Sequence, residues 1–294
     1  MYCIAGADGF LGAYLQRELL AKGETVVALN HTAPVFPDGD NLYNLPFELT
    51  DRASMDAAEA LLRRFDDIRV FYTIAVHAPD KVEADPAFAH RINHVLYAEF
   101  LRKLSGCDIT QLYYASTDNV YGESRDGKVF TEEDAPAPIN AYGEQKAEAE
   151  RITREQGFSV ARFSYMFGPS LTHKPHFFDV ITQKLKTGQP MEMFTDFIRS
   201  SLPYPAAARC LIRLAEADTK ETIVNICADE PTSKYDIGLF AADYCGADRS
   251  LVIPARGMGS GLFTAARAPS IVMSNARLKR AVGDKAAIKP FPDI

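Results

Sequence analysis

The chain has 294 residues, of which 47% are hydrophobic and 24% are charged, and its formal net charge is -7. This composition is that of a folded globular protein and excludes a disordered chain. The charge is spread without a basic block, so we expect no nucleic-acid partner. No apolar run is long enough for a transmembrane helix and the N-terminus carries no secretion signal, so we expect a cytoplasmic protein with small-molecule partners and no membrane partner. The five scattered cysteines predict neither disulfides nor a zinc site, and no other metal site is predicted.

Short apolar segments alternate with amphipathic ones over the first two-thirds of the chain. The predicted strands are 3–5, 25–29, 70–74, 112–115, 160–163 and 223–226. The predicted helices lie near 10–22, 54–65, 86–104, 141–156 and 203–217. This βαβα order is typical of an α/β protein with a doubly wound, Rossmann-like parallel sheet.

The sequence after Phe163 is less regular and predicts loops that build a small C-terminal substrate lobe. We expect a dinucleotide-binding domain over residues 1–165, to which 203–230 return. The small substrate-binding lobe would then consist of 166–202 and 231–294.

A glycine-rich turn, "GADGFLG", follows the first predicted strand. Gly6, Gly9 and Gly12 carry no side chains that would keep backbone N–H groups away from a pyrophosphate. The helix that follows presents its N-terminus to the same anion. The strand before the turn and the helix after it favour a dinucleotide site over a ligand-free turn, with Phe10 and Leu11 beside the cofactor.

The second predicted strand runs into Asn30 and His31, where an NAD-binding protein commonly carries an acidic residue for the ribose. We therefore expect these two residues to border the cofactor, which is NADP or NAD with a slight preference for NADP. No arginine or lysine is adjacent to receive a 2'-phosphate. The segment "FELTD" at 47–51 is either an adenine-contacting loop or a strand end before a helix that Asp51 or Ser54 caps.

Tyr142 and Lys146 lie four residues apart on a predicted helix and therefore share one face. With 13 tyrosines and 13 lysines in the chain, a pair at this spacing arises about 0.6 times by chance. Such a Tyr-Lys pair is nevertheless suited to proton transfer, because a cation beside a phenol lowers the phenol's pKa from about 10. Gly143 costs a helix roughly 1 kcal/mol relative to alanine, which indicates a close approach of backbone or ligand. Upstream, Ser116 and Thr117 are either ligand-binding hydroxyls at a strand end or turn formers.

Together, the three glycines, "ASTDNVYG", "EEDAPAPINAYGEQK" and "RFSYMFGP" resemble the extended short-chain dehydrogenase/reductase superfamily. The greatest similarity is to its dTDP-4-dehydrorhamnose reductase-like group, which is related to NAD-dependent epimerases and dehydratases. The resemblance implies that Thr117 is the catalytic hydroxyl and that Tyr142 and Lys146 are the catalytic pair, both also touching the cofactor. The further cofactor contacts that it implies are Ala75, Val76, Asn93 and Ala115.

On the substrate side, the resemblance implies contacts from Ser116, His77, Arg199 and Arg267. His77 stands where relatives carry small residues, and it either lines the pocket or is structural. The two arginines fall near positions where relatives bind phosphates, and the alternative is an ordinary surface arginine. Relatives usually have adjacent Arg-Pro, whereas Ala268 separates the two here.

We therefore expect an NAD(P)-dependent oxidoreductase that reduces a ketone by hydride transfer, with Tyr142 as proton donor. The resemblance implies a 4-keto-6-deoxy nucleotide-sugar as the substrate, and it allows a homodimer. Two alternatives stay open. One is a nucleotide-sugar epimerase or dehydratase that retains NAD, and the other is a non-catalytic NADP-binding regulatory subunit, like that of methionine adenosyltransferase.

Overall fold

The computed structural model of the protein describes residues 1–217, 219–283 and 287–291. Its strands are β1 (Tyr2–Ala5), β2 (Val26–Asn30), β3 (Leu42–Pro46), β4 (Ile68–Tyr72), β5 (Ile109–Thr117), β6 (Ser159–Phe163), β7 (Met166–Phe167), β8 (Met191–Phe194), β9 (Ile198–Arg199), β10 (Leu202–Pro203), β11 (Ile223–Ile226), β12 (Thr232–Ser233), β13 (Val252–Ala255) and β14 (Ser270–Ile271). Its α-helices are α1 (Phe10–Ala21), α2 (Arg52–Leu62), α3 (Pro79–Ala84), α4 (Pro86–His90), α5 (Tyr97–Leu104), α6 (Ala141–Glu155), α7 (Phe177–Lys186), α8 (Tyr204–Glu216), α9 (Lys234–Cys245) and α10 (Ala276–Ala281). A π-helix covers Arg91–Leu96, and 3-10 helices cover Asp118–Val120 and Arg249–Leu251.

Seven parallel strands form the central sheet in the order β11-β6-β5-β4-β1-β2-β3. β1, β2 and β11 are buried along their whole length, as expected for strands covered on both faces by helices. Helices α1 and α8 pack on one face, and α2, α5 and α6 on the other. The predicted doubly wound α/β fold is confirmed. The strand order reverses beside β1, which places the ligand crevice at the carboxyl ends of β1 and β4.

Each predicted strand is present with shifted ends, and so are the predicted helices, except that the helix predicted near 86–104 is divided into α4, the π-helix and α5. Strand β3 was not predicted, since "LYNLP" mixes apolar and polar residues; it lies at the sheet edge, beside β2. The segment "FELTD" leads into α2, which Asp51 caps by accepting a hydrogen bond from the Ala53 N–H.

A second apolar core lies outside the sheet and is built mainly by α7, α9, β8 and β13; we call this group the lobe. Strand β8 pairs with β13, and β9 lies between β12 and β14. β8 begins within a segment predicted to be a loop, so that prediction was wrong in part. Among the described residues, we find no helix with the length and apolar character needed to cross a membrane.

Candidate active site

The carboxyl ends of the central strands open into a cavity of about 1150 Å³ that lobe residues also line. The predicted site residues in its wall are Gly6, Gly9, Phe10, Leu11, His31, Ala75, Val76, His77, Ala115, Ser116, Thr117, Tyr142, Lys146, Arg199 and Arg267. Of the predicted residues, Gly12, Asn30 and Asn93 lie behind this wall. The fold therefore brings the glycine turn, the Tyr-Lys pair and the strand-end hydroxyls to one space.

The glycine turn between β1 and α1 is tightly packed. Gly6 has a φ of +87°, and a Cβ there would stand 2.7 Å from the Thr73 hydroxyl oxygen. A Cβ on Gly12 would lie 2.8 Å from the Cα of Ala7, so this glycine lets α1 approach the turn. Helix α1 begins after Gly9 with no side-chain cap and no acidic residue in its first turn. Its free N–H groups and positive end fit the pyrophosphate of a dinucleotide cofactor.

Two carboxylates border the cavity at the end of β2. Asp8, within the glycine turn, accepts hydrogen bonds from the backbone N–H groups of His31 (3.1 Å) and Thr32 (2.8 Å). Glu48 lies 2.9 Å from the His31 imidazole. Asn30 is buried, and its side chain links β2 to β3 rather than reaching the cavity. The acidic groups that the sequence lacks at this strand end are therefore supplied by other segments.

Asn93 acts from behind the cavity wall. Its Oδ1 accepts from the Val76 N–H at 2.8 Å, and its Nδ2 donates to the Gln145 Oε1 at 3.0 Å. It lies in the π-helix at Arg91–Leu96, a helix type often found at functional sites. Asn93 thus joins the segment after β4 to the residue that precedes Lys146.

His77 extends into the cavity from the same segment after β4. Burial lowers the pKa of its imidazole, and the neighbouring Lys81 and Lys146 lower it further. The ring is therefore neutral at pH 7. Its N–H hydrogen-bonds the backbone of Ala75, which leaves the second ring nitrogen as an acceptor.

Tyr142 lies in the first turn of α6, which Asn140 caps by accepting from the Gly143 N–H at 2.9 Å. A Cβ on Gly143 would stand 2.6 Å from the carbonyl oxygen of Asn119, so the predicted close approach is one of backbone. Burial raises the pKa of the Tyr142 phenol, and its hydrogen bond with Thr117 opposes the rise. The phenol therefore keeps its proton at neutral pH.

Lys146 stands one turn later on the same face of α6. Its ammonium donates to the carbonyl oxygen of Ala115 at 2.6 Å and lies 4.0 Å from the ring centroid of Tyr114. Burial lowers the pKa of Lys146 to about 7, although Glu150 opposes this shift. The amine is thus held at the end of β5, close to its titration point.

The Thr117 hydroxyl ends β5 and caps the 3-10 turn that follows. It accepts from the Asn119 N–H at 3.2 Å and donates to Asp118 Oδ1 at 3.2 Å. Asp118 is buried, and this burial raises its pKa against the attraction of Arg199. Thr117 is therefore both a turn former and a cavity hydroxyl, so the two sequence interpretations are compatible.

The Ser116 side chain is part of a buried hydrogen-bond network. Its hydroxyl donates to Glu150 Oε1 at 2.5 Å, and Arg162 donates to both oxygens of the same carboxylate at 2.6 to 3.1 Å. The Glu150 and Arg162 side chains are only 4% and 2% exposed. This network fixes α6 against β5 and β6 beneath the cavity.

Arg199 and Arg267 reach the cavity wall but have protein partners. Arg199 donates to backbone carbonyls of β9 and of the segment before β14, and its Nε lies 3.5 Å from Asp118. Arg267 donates to Asp80 Oδ2 at 2.6 Å, which links the chain before β14 to α3. Both arginines tie the lobe side of the cavity to the sheet side.

The RmlD substrate binding domain family matches residues 1–288. The chain belongs to this family. The probable low-salt glycan biosynthesis reductase Agl14 of Haloferax volcanii is 24% identical over 253 residues, which are 85% of this chain and 81% of that protein. The methionine adenosyltransferase 2 subunit beta of Xenopus tropicalis is 26% identical over 56% of this chain, which spans only 46% of that subunit. The dTDP-4-dehydrorhamnose reductase of Bacillus anthracis, solved in complex with NADP, superposes with a TM-score of 0.80 at 19% identity, over 97% of this chain and 94% of that one.

Membership of the RmlD family confirms the predicted extended short-chain dehydrogenase/reductase type, and with it the class of NAD(P)-dependent oxidoreductases. Glu48 belongs to the segment 47–51, considered above as an adenine-contacting loop, and it lies in the cavity wall. The sequence interpretation missed other residues of this RmlD-family cavity, which are Asp8, Lys234 and a group of aromatics, Phe177, Phe194, Phe197 and Phe263. Asp8 is visible in "GADG" between two of the predicted glycines. Lys234 carries no local signal, because a lysine at the start of a helix is usually a solvated one.

Proposed function

We propose that this protein uses NAD(P)H to reduce a ketone, and that the ketone is a 4-keto-6-deoxy nucleotide-sugar. The observation that carries the proposal is the meeting of Thr117, Tyr142 and Lys146 with the glycine turn in one cavity. The nicotinamide of the reduced cofactor supplies a hydride when it is bound. The other steps, which are polarisation of the carbonyl and proton donation, are carried out by side chains of this protein.

Tyr142 is the proton donor in this proposal. Its raised pKa supports donation rather than abstraction of a proton, because a buried phenol releases its proton only to a strongly basic oxygen such as a developing alkoxide. The Thr117 hydroxyl would turn from Asp118 Oδ1, to which it donates in the free protein, and would donate to the carbonyl oxygen and polarise it. Lys146 holds the ribose beside the nicotinamide and, once charged, favours the phenolate that remains after proton transfer.

Two other roles are compatible with the same cavity. An epimerase or dehydratase would retain NAD and consume none, and it needs Tyr142 as a base, which the raised pKa disfavours. A regulatory subunit would bind NADP without turnover, and the similarity to methionine adenosyltransferase 2 subunit beta keeps this role as the second candidate.

The division into residues 1–165 with 203–230, and 166–202 with 231–294, stays a prediction. Residues 218, 284–286 and 292–294 of these ranges lie outside the described residues. The homodimer and the cytoplasmic location also stay predictions.

The test is a turnover assay with NADH and with NADPH against a dTDP-4-keto-6-deoxyhexose, following loss of the reduced nicotinamide. Y142F should lower kcat by about 10² to 10⁴-fold while the dissociation constant of NAD(P)H stays the same. Y43F is the matched control, because Tyr43 lies on β3 away from the cavity wall. An active Y142F protein would exclude Tyr142 as the donor. Wild-type protein that binds the cofactor but never oxidises it would favour the regulatory subunit.

A further inference from the structure

Lys234 projects into the cavity from the start of α9 in the lobe. Its backbone is fixed on both sides, because β12 pairs with β9, and Ser233 and Asp236 form a reciprocal cap at the start of the helix. The ammonium lies over the ring of Tyr165 and 5.6 Å from the ring centroid of Phe177. The side chain is thus held in an aromatic part of the wall.

Lys234 differs from the other partly or fully buried cations of the cavity in having neither a hydrogen bond to a backbone carbonyl nor an ion pair among the described residues. Lys146 donates to a carbonyl oxygen, Arg199 to several carbonyls and Asp118, and Arg267 to Asp80. Within the part of the chain that the structure describes, Lys234 Nζ makes no ion pair and no hydrogen bond to the protein. Lys174 also borders the cavity, but it is exposed, so water solvates its charge.

The surroundings of Lys234 oppose its charge. Burial holds its pKa well below the usual range, Arg199 on β9 lowers it further, and Asp118 after β5 only partly compensates. His176, before α7, is a further titratable neighbour, and burial lowers its pKa to about 4, so it is neutral. Lys234 is half-buried, and an amine set among aromatic rings without a counter-ion in contact is unfavourable, which is typical of a position where a ligand completes the site.

We propose that Lys234 binds an anionic group of the substrate, a phosphate or a carboxylate, in the lobe half of the cavity. The assignment of the occupant as substrate rests on the proposed function. The rings of Tyr165 and Phe177 reduce the access of water to Nζ, so an anion beside Nζ gains more than it would at the surface. The anion also favours the ammonium over the amine, so binding raises the pKa of Nζ and promotes proton uptake from the buffer.

Two sources of the anion are compatible with this chemistry. The diphosphate of a nucleotide-sugar is one, and a carboxylate on the sugar is the other. UDP, UDP-glucose and UDP-glucuronate separate them, since only the last carries the carboxylate. A loss of affinity in K234M that is equal for the three probes assigns the diphosphate, whereas a loss confined to UDP-glucuronate assigns the carboxylate.

The experiment is calorimetric titration of these probes into protein saturated with NAD(P), in phosphate and in Tris buffer, which differ in ionisation enthalpy. We expect wild type to take up more protons on binding than the two variants do. K234M should bind at least about tenfold more weakly without that uptake. K234R should bind within about threefold of wild type, also without uptake, because a guanidinium is always charged.

Cofactor affinity and thermal unfolding show whether each variant is folded; if K234M is not, K234R alone decides by its proton uptake. Affinity and uptake in K234M equal to those of wild type would overturn the proposal, as would unchanged uptake in K234R. Ketone reduction with the same kcat/KM in K234M and in wild type would overturn the role of Lys234 and leave the reductase intact. Probe binding that depends on Lys234, without any ketone reduction, would support the role of Lys234 and overturn the proposed reductase function.

Discussion

The side-chain nitrogen of Lys146 donates to the carbonyl oxygen of Ala115 at 2.6 Å, and no ion pair accompanies this bond among the described residues. The lysine is thereby fixed at the strand end that carries Thr117, without a carboxylate in contact to stabilise its charge. The effect of burial outweighs the opposing effect of Glu150, so the pKa of Lys146 falls to about 7. The position that suits cofactor binding is therefore costly to the free protein.

This cost makes stability depend on pH. Between pH 7 and the ordinary lysine pKa near 10.5, the unfolded chain binds a proton at Lys146 that the folded chain does not, so the free energy of unfolding rises with pH in this window. From pH 7 to pH 9 the contribution is about 2 kcal/mol. K146M should lack this rise in urea unfolding at the two pH values, whereas K186M, at an exposed lysine, should keep it. Parallel profiles for wild type and K146M would contradict the buried amine.

The buried pair of Glu150 and Arg162 predicts a large stability effect. E150Q leaves the guanidinium without a counter-ion and weakens the Ser116 hydrogen bond, so it should lower the free energy of unfolding by about 3 to 5 kcal/mol. E155Q is the matched control on the same helix, because Glu155 pairs with Arg151 in solvent and should contribute less than about 0.5 kcal/mol. Urea unfolding measures both. Equal effects would mean that burial does not distinguish these two pairs.

The third glycine of the turn is a packing requirement. G12A places a Cβ against the Gly6 carbonyl and 2.8 Å from the Cα of Ala7, so α1 must shift away from β1. We expect a loss of about 2 kcal/mol of stability and at least tenfold weaker NAD(P) binding, measured by unfolding and fluorescence titration. G39A, where a Cβ meets open space, should leave both unchanged. Undiminished cofactor affinity in G12A would count against the turn as the pyrophosphate site.

The carboxylates beside His31 predict the cofactor preference. A 2'-phosphate at the end of β2 would be repelled by Asp8 and Glu48, whose pKa values are both lowered by hydrogen bonds, so both are charged. We therefore expect tighter binding of NAD than of NADP, opposite to the slight preference inferred from the sequence. E48Q should improve NADP affinity relative to NAD by about three- to tenfold at low salt. D66N, which neutralises an exposed carboxylate outside the cavity wall, should not alter the ratio of NADP to NAD affinity. If E48Q also leaves this ratio unchanged, repulsion by Glu48 does not determine the cofactor preference.

The sequence by itself determined the fold class and the elements that carry the chemistry. Hydrophobic periodicity defined most strands of the sheet, and the glycine turn and the Tyr142-Lys146 spacing depend on local backbone geometry that neighbouring residues specify. Contacts between segments far apart in the chain could not be predicted from the sequence. Only the tertiary structure showed that Asp8 and Glu48 both contact His31 and that Ser116 donates a hydrogen bond to Glu150. It also showed that Lys234 lines the cavity without an anionic side chain in contact. These relations join residues far apart in the chain, and the desolvation that shifts their pKa values exists only once the helices and the lobe have closed around them.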